Sequence, residues 1–373
     1  IDVKLVSTAQ AIDDVVVTAL GMKREEKSLG YAATKVKGDV FSSAASSSNW
    51  MSGLSGQVAG LSVAKANTGG GGSMRVTLRG ESSIDLNNNG ALFVIDGVPM
   101  FNTSAAGGES GAYSIDYGNG TGDVNPEDIE NITVLKDAAS ASIYGSQAAA
   151  GVILITTKRA GKSGASVTYN YSLGLDFQSQ KPKYMNANDY MTAINELRYN
   201  DMPSGGWYQE YSRDYIENYT LLNRENPDIY ANVNWMDLML KDVGVRHSHS
   251  LTIQSGGDKR SSVLSLGFDD VDGLFRKNLS WKRYTARLNN DMQVFKWMKA
   301  SADISLRYTD QVNPHASPSS IMRYIPPIYQ AVWSDGRYAP GKDGVNKYAA
   351  LMSGGEKDTD KYLANAKFQL DIT

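Results

Sequence analysis

The feature that most constrains this chain is a two-residue alternation of apolar and polar side chains in its second half. In the run 165–178, apolar side chains occupy every second position and mostly polar ones lie between them. This period predicts a β-strand with one apolar and one polar face. The alternation recurs in five further runs, at residues 245–253, 264–268, 284–294, 298–308 and 362–372.

The lengths of these runs and of their connections favour a membrane barrel. Most runs approach or exceed ten residues, about the span of a tilted membrane strand and more than the five or six usual in soluble sheets. Long connections at 179–243 and 310–360, and a medium one at 269–280, alternate with the short joints "GGDK" and "FKW". Outer-membrane barrels alternate short periplasmic turns with long outer loops in this way. A soluble β-sandwich also alternates apolar and polar faces, so the faces alone do not decide.

The first half predicts a different architecture. Short strands such as "MRVTL", "ALFVID", "NITVLK" and "GVILITT" alternate with short helical pieces, among them a turn at "NPEDIE" capped by Asn125. The pattern indicates a compact α+β unit. Six strands cannot close a ring around such a unit, since plugged outer-membrane barrels have about 22 strands. We therefore expect the chain to be part of a longer protein.

Composition excludes several other classes. The chain has no cysteine, three histidines and a net charge of -3, so disulfides, thiolate metal sites and a basic nucleic-acid surface are not expected. No apolar run reaches the roughly 18 residues of a membrane helix. No nucleophile, base and orienting group form a recognisable set. We expect no catalytic residues, no metal site and no cofactor.

Several motifs together resemble one family. "LSGQVAGLSV", "MRVTLRG", "ALFVIDGVP", "NPEDIENITVLKDAASASIYGSQAAAGVILITTK", "NWMDLML" and "DDVDGLFRKNLSWKRY" resemble the SusC/RagA-type TonB-dependent transporters of Bacteroidetes outer membranes. The resemblance implies an α+β plug inside a transmembrane antiparallel β-barrel. It also implies the division of the chain into residues 1–9, the end of a preceding small β domain; 10–40, the TonB box and linker; 41–162, the plug; and 163–373, the first barrel strands with long extracellular loops.

The resemblance places the TonB box near the N-terminus. Its residues are Asp14, Val15, Val16, Val17, Thr18 and Ala19. The residues agree, because a β-prone peptide in a polar tail can add a strand to the edge of a partner's sheet. We expect this segment to have no fixed structure until TonB binds. The alternative is an ordinary strand of the preceding domain.

Two loops of the plug are candidates for substrate contact. One carries Asn87, Asn88 and Asn89, and the other carries Tyr113 and Tyr117. Asparagine suits sugar hydroxyls and peptide amides equally. The first loop also fits part of a calcium-loop pattern, with Asp96 in place of the final glutamate, but no flanking helices are evident and a plug loop is favoured.

Other aromatic and histidine residues admit two interpretations. His247 and His249 share a strand face with apolar residues, which favours packing over a metal site. Residues 179–243 are rich in aromatic side chains, which could stack on sugars, pack the loop or contact a lid protein: Trp207, Tyr208, Tyr211, Tyr215, Tyr219, Tyr230 and Trp235.

The resemblance implies TonB-dependent import of oligosaccharides or oligopeptides across the outer membrane. The implied partners are a SusD-like surface lipoprotein, TonB with ExbB and ExbD, and outer-membrane lipid. A siderophore or vitamin receptor, and a soluble or surface-anchored binding module without transport, are the alternatives. The sequence does not separate glycan from peptide substrates.

Overall fold

The computed structural model describes residues 15–17, 23–25, 33–44, 50–65, 74–81, 83–84, 89–100, 124–136, 141–161, 164–178, 183–277, 279–314, 325–353 and 355–372. The predicted strand at 1–9 and the predicted loop at 102–123 lie outside these residues.

In the described residues, two two-stranded sheets and one five-stranded sheet precede the long strands. Strands β1 (Val15–Val17) and β2 (Lys23–Glu25) form an antiparallel pair, as do β4 (Leu61–Lys65) and β5 (Met74–Leu78). A five-stranded sheet has the order β3-β8-β9-β6-β7. Its strands are β3 (Ala33–Lys37), β6 (Leu92–Ile95), β7 (Val98–Met100), β8 (Ile129–Leu135) and β9 (Val152–Thr157).

The centre of this sheet is buried on both faces, as the unbroken apolar runs of β6 and β9 require. Strands β6 and β9 pair in parallel. One face, which includes Phe93 and Ile153, packs on helix α1 (Asp39–Ala44) and on the 3-10 helix Trp50–Leu54. The other face packs on the 3-10 helix Ser142–Ala148. The α+β unit predicted from the sequence is therefore a domain with its own core.

Strand β3 extends this domain beyond its predicted limits. It lies in the region 10–40, where a linker is expected, yet it pairs with β8 from Ala33↔Leu135 to Lys37↔Asn131. Two lysines in its five residues make the segment look like a solvated tether. At a sheet edge this composition is usual, because one face of an edge strand meets solvent.

All six strands predicted in the second half are present, and they form one antiparallel sheet in chain order. They are β10 (Gly164–Phe177), β11 (Val243–Gly256), β12 (Arg260–Asp272), β13 (Ser280–Phe295), β14 (Met298–Pro314) and β15 (Glu356–Ile372). They are 13 to 17 residues long, and all except β10 exceed the predicted runs. The extra residues extend mainly toward the long connections.

The face of this sheet that points away from the α+β domain, here called the outer face, is apolar and carries a continuous aromatic row. Cross-strand neighbours stack from β10 to β15, with ring centroids 4.9 to 6.0 Å apart, in the order Tyr171, His249, Phe268, Tyr284, Tyr308 and Tyr362. Exposed apolar residues such as Leu306 and Leu370 continue the face toward the short turns. The inner face is polar, with buried Ser250, Ser265 and Asn289 among its residues.

The long connections pack together at one end of the strands of this sheet. Between β10 and β11 lie helices α2 (Ala187–Asp201), α3 (Arg213–Glu225) and α4 (Trp235–Met239), and between β14 and β15 lies α5 (Lys347–Ser353). Trp235 is buried in a cluster that also includes Phe275 and Leu351. Three connections thus share one core. Within the described ranges, no helix is long and apolar enough to cross a membrane.

We predict that Phe93→Ala destabilises the α+β domain by about 3–5 kcal/mol, because the ring is fully buried and its removal leaves a cavity. The measurement is the urea midpoint at which the domain becomes sensitive to trypsin in the full-length protein. Ile143→Ala, at an exposed position of the same domain, is the control. Equal midpoints for the two variants would contradict the assigned core.

Candidate functional site

The α+β domain lies against the polar inner face of the six-stranded sheet, and buried ion pairs connect the two. The first involves Asp96, in the two-residue turn between β6 and β7. Asp96 and Gly97 have φ of 48° and 88°, the left-handed values that an Asp-Gly hairpin turn adopts. The carboxylate accepts hydrogen bonds from the Thr157 N–H at 3.0 Å and the Thr157 hydroxyl at 2.6 Å. These two bonds fix its direction.

Arg287, on β13, reaches from the sheet into the domain. Its Nη1 lies 3.1 Å from Asp96 Oδ2, and its Nε lies 3.9 Å from Asp128 Oδ2. All three side chains are largely buried, with 14%, 8% and 7% of their surface exposed. One guanidinium therefore faces two carboxylates of the domain at a largely buried site. Removing one partner of such a group leaves an uncompensated buried charge.

Asp128 closes the 3-10 helix Pro126–Asp128, which Asn125 caps as the sequence predicts. Burial raises the pKa of the Asp128 carboxyl, while a hydrogen bond with the Ser265 side chain and the charge of Arg287 act in the opposite direction. Ser265 and Arg287 both belong to the sheet. The ionised form of Asp128 therefore depends on the sheet being in contact with the domain.

We call the ion pairs of Arg287 with the domain a clamp. Arg159 forms a second clamp, in which the domain supplies the cation and the sheet supplies the carboxylates. It follows β9 and contributes the cation from the domain side, with Nη1 3.0 Å from Asp291 Oδ1 and Nη2 2.7 Å from Asp303 Oδ2. These carboxylates lie on β13 and β14. Asn289 adds hydrogen bonds to the Thr157 hydroxyl at 2.8 Å and to the Lys158 carbonyl at 3.2 Å. The end of β9 is thus held from several sides.

Further hydrogen bonds extend the interface toward β10 and β11. Asn125 Nδ2 donates to the Ser250 hydroxyl at 3.2 Å, and Asn170 Nδ2 donates to Glu127 Oε2 at 3.2 Å. Gly267 faces this region. A Cβ at Gly267 would collide with the Thr285 hydroxyl and lie 2.9 Å from Asn125 Nδ2. The missing side chain allows the domain to approach the sheet closely.

The interface also encloses two small cavities. Their volumes are about 40 and 30 Å³, and Arg287 and Asn365 line both. Each is large enough for one or two water molecules. Apolar contact across the interface includes Leu363 of β15, which packs on the core of the domain. The interface is therefore mainly polar and loosely packed, unlike the core of the domain itself.

The predicted TonB-binding segment takes a defined conformation in part. Val15, Val16 and Val17 pair with Glu25, Arg24 and Lys23, whereas the sequence predicts no fixed structure before a partner binds. Valines favour pairing with any available edge, and the next polar segment of the same chain supplies one. Asp14, Thr18 and Ala19 lie outside the described residues. The role of the segment stays a prediction.

The predicted substrate loops are described only in part. Asn87, Asn88, Tyr113 and Tyr117 lie outside the described residues. Asn89 is 1% exposed; its side chain accepts from the Ser83 N–H at 2.7 Å and donates to the Ser83 carbonyl at 2.9 Å. This pairing stabilises the loop, so Asn89 has a structural explanation of its own. Substrate contact by this residue set remains untested.

The histidines and most loop aromatics are packed. His249 Nδ1 lies 2.7 Å from the Tyr169 hydroxyl and His249 belongs to the outer aromatic row, in line with the packing interpretation. Tyr219 is buried in the loop core, donates to the Ala231 carbonyl at 2.9 Å, and has its pKa raised to about 12 by burial. Trp207 and Tyr208 are more exposed.

The charged clamps are the functional residues that the sequence interpretation missed. Their signal was present: Arg287, Asp291 and Asp303 occupy the polar positions of the alternating strands, which face inward. A charge that faces inward in a sheet implies a partner inside it. The partners could not be identified, because Asp96 and Arg287 are 191 residues apart in the chain.

Comparison with known proteins identifies the first half. Residues 25–152 match the model of the TonB-dependent receptor plug domain. The chain is 30% identical over 290 residues to the TonB-dependent receptor SusC of Bacteroides thetaiotaomicron, covering 77% of this chain and 25% of that protein. It is 27% identical over 341 residues to the TonB-dependent receptor P39 of Formosa agariphila, covering 91% and 29%. The chain thus spans about a quarter of these relatives.

The fold extends the similarity to the second half. The RagAB peptide importer in its open-open state superposes with a TM-score of 0.73 at 21% identity, over 96% of this chain and 40% of the matched one. Its closed-closed state gives a TM-score of 0.70 at 20% identity, over 93% and 39%. The domain and the sheet therefore have the architecture of a plug and of the barrel wall around it.

We predict that Arg287→Met weakens the seating of the domain by about 3–5 kcal/mol, because two carboxylates stay buried without their cation. The measurement is the thermal midpoint of the domain in the full-length protein. Arg213→Met, which removes an exposed ion pair with Glu217, is the matched control and should leave the midpoint unchanged.

The Arg287→Met defect should also depend on pH. Asp128 then has a raised pKa in the folded state without its counter-charge, so seating is favoured below that pKa and lost as the pH rises through it. The defect should be smaller at about pH 5 than at about pH 8. A defect that is absent, or that grows on acidification, would contradict the assigned role.

Proposed function

Because the chain belongs to the SusC/RagA type of TonB-dependent receptors, we propose that the protein containing it imports oligosaccharides or oligopeptides across the outer membrane with energy supplied through TonB. The observation that carries the proposal is the charged interface between plug and wall. The plug has an apolar core of its own that is separate from the ion pairs at the wall, so one part of it can move while those ion pairs keep the rest in place.

The outer face of the sheet supports a location in the membrane. Exposed leucine, valine and phenylalanine side chains suit hydrocarbon, and an aromatic row at one level suits the boundary between hydrocarbon and headgroups. The long connections, packed at one end of the strands, would face the outside of the cell, where a SusD-like lipoprotein would close over them. The short turns would face the periplasm, where TonB acts with ExbB and ExbD.

The proposed mechanism begins at Val15–Val17. TonB would add a strand to this segment after substrate binds between lid and plug. The pairing with Lys23–Glu25 must then open, and its three residue pairs form only a marginal barrier, since an isolated hairpin is barely stable in water. The pull next reaches β3, whose one neighbour among the described strands is β8. The inner strands instead end at the clamps of Asp96 and Arg159.

This arrangement directs force to the part of the plug that is held least. Removal of β3 exposes the edge of β8 and one side of the plug core, while the clamps keep the remaining strands against the wall. A passage would then open beside the plug and not by expulsion of the whole domain. No cofactor is required in this scheme.

We predict that Val16→Pro abolishes uptake and leaves substrate binding intact, because proline removes the backbone donor that strand addition needs. Growth on the cognate nutrient and capture of the receptor by the TonB C-terminal domain are the two measurements. Val16→Ile keeps the donor and the β-propensity and is the control. Normal growth of the proline variant would sink the proposal.

A second prediction concerns β3. Lys35 and Thr133 are Cα partners across β3 and β8, and the chain has no other cysteine, so Lys35→Cys with Thr133→Cys can form a single defined crosslink. Uptake should stop when the disulfide forms and return on reduction. The same crosslink between Ala302 and Phe368, partners on β14 and β15, should leave uptake unchanged. Undiminished uptake with β3 crosslinked would mean that the strand does not move.

A further inference from the structure

A large open cavity lies between two of the long connections. Its volume is about 540 Å³, within the range of small-molecule sites. Residues 183–190, ahead of and within the start of α2, form one wall. Residues 325–327 and Lys342, from the connection between β14 and β15, form the other. The proposed substrate loops of the plug do not contribute to it among the described residues.

The charge of this cavity is positive. Lys183 and Lys342 both line it and are exposed, and neither ammonium has a carboxylate within ion-pair distance in the part of the chain that the structure describes. Asp189, on the neighbouring turn of α2, is engaged with Asn186, whose Nδ2 donates to its Oδ2 at 3.0 Å. Two cations on opposite walls suit an anionic ligand that spans the opening.

The aromatic residues of the cavity offer ring faces and neutral hydroxyl groups. Tyr184 and Tyr190 are half-buried, and burial raises the pKa of each phenol, so both hydroxyls stay protonated donors at neutral pH. Their rings are anchored from behind, Tyr184 by the cluster around Trp235 and Tyr190 by the cluster around Tyr219. Rings fixed in this way can contact a ligand at little cost in side-chain entropy.

The main chain of the proline pair in the cavity wall is already engaged. Pro326 and Pro327 have no N–H to donate, and their carbonyls accept from Trp235 Nε1 at 3.3 Å and from the Val233 N–H at 2.9 Å. This proline segment therefore offers an extended peptide no edge with which to pair. The side chains that line the cavity carry ammonium, phenol and ring groups, and these recognise a rigid, hydroxylated, acidic ring system.

We propose that this cavity binds an acidic oligosaccharide, whose carboxylate or sulfate groups bridge Lys183 and Lys342 while its rings lie against Tyr184 and Tyr190. The proposal rests on the proposed function, because it narrows the substrate class of the importer. The size of the cavity accommodates a short segment of such a chain. An acidic peptide or a contact with the lid protein would use the same charges but not the ring faces.

The test is calorimetric titration of the full-length receptor in detergent, without the lid protein and without TonB. The probes are a galacturonic acid tetrasaccharide, a sulfated galactose tetrasaccharide, the neutral maltotetraose and tetraglutamate. At least one acidic saccharide should bind, about tenfold or more tighter than maltotetraose and tetraglutamate, and its affinity should fall with salt. Whichever saccharide binds identifies the anion.

Variants then locate the site. Lys183→Gln with Lys342→Gln should weaken binding about 10- to 100-fold, and Lys183→Arg with Lys342→Arg should restore most of it. Lys296→Gln, in the short turn between β13 and β14, removes the same charge far from the cavity and should have no effect. Met185→Trp should obstruct the cavity without removing charge.

Several results would overturn the proposal: no binding of either acidic saccharide, equal binding of the neutral one or of tetraglutamate, or unchanged affinity in the glutamine variant. These outcomes are independent of the importer mechanism. A receptor that needs an intact Val16 for uptake but binds no acidic saccharide refutes the cavity alone. A receptor that binds one but grows normally with Val16→Pro refutes the transport mechanism alone.

Discussion

The placement of Arg287 between Asp96 and Asp128 is the contact on which the rest of the structure depends. A wide barrel must present polar side chains inward, so a domain inside it cannot be held by apolar packing alone. Here the seating charges come from both partners: the wall supplies the cation at Arg287, and the domain supplies it at Arg159. Arg287 pairs with carboxylates of the domain and Arg159 with carboxylates of the sheet, so each part supplies counter-charges to the other.

The contacts that stabilise the plug internally differ from those that hold it against the wall. The plug carries an apolar core within its own sheet and helices, whereas the wall contacts are mainly ionic and polar and enclose small cavities. The clamps hold the ends of β6 and β9 and the start of β8, and β3 lies at the edge with one neighbour. A pull transmitted from the N-terminus thus meets a strand of low local stability before it meets the buried charges.

Local periodicity predicted the elements of this architecture that depend on neighbours in sequence. The pairings between residues far apart in the chain could not be predicted from it. The two-residue period located all six long strands, and "NPEDIE" located the turn capped by Asn125, because both depend on neighbours in sequence. Strand β3 escaped notice because its partner β8 lies about a hundred residues away. Asn89 was a candidate for substrate contact, whereas its side chain bonds to Ser83 within the same loop. The pairing of Asp96 with Arg287 could not be predicted, because the two residues are 191 positions apart in the chain.

Amide hydrogen exchange of the full-length receptor tests the central claim most directly. The claim is that the clamped inner strands of the plug are stable while the edge strand next to the N-terminus is free to open. Amides of Ala33–Lys37 should then exchange much faster than those of Leu92–Ile95 and Val152–Thr157, and binding of the TonB C-terminal domain should increase exchange in the former only. Equal protection of all three strands, or loss of protection at Leu92–Ile95 first, would contradict it.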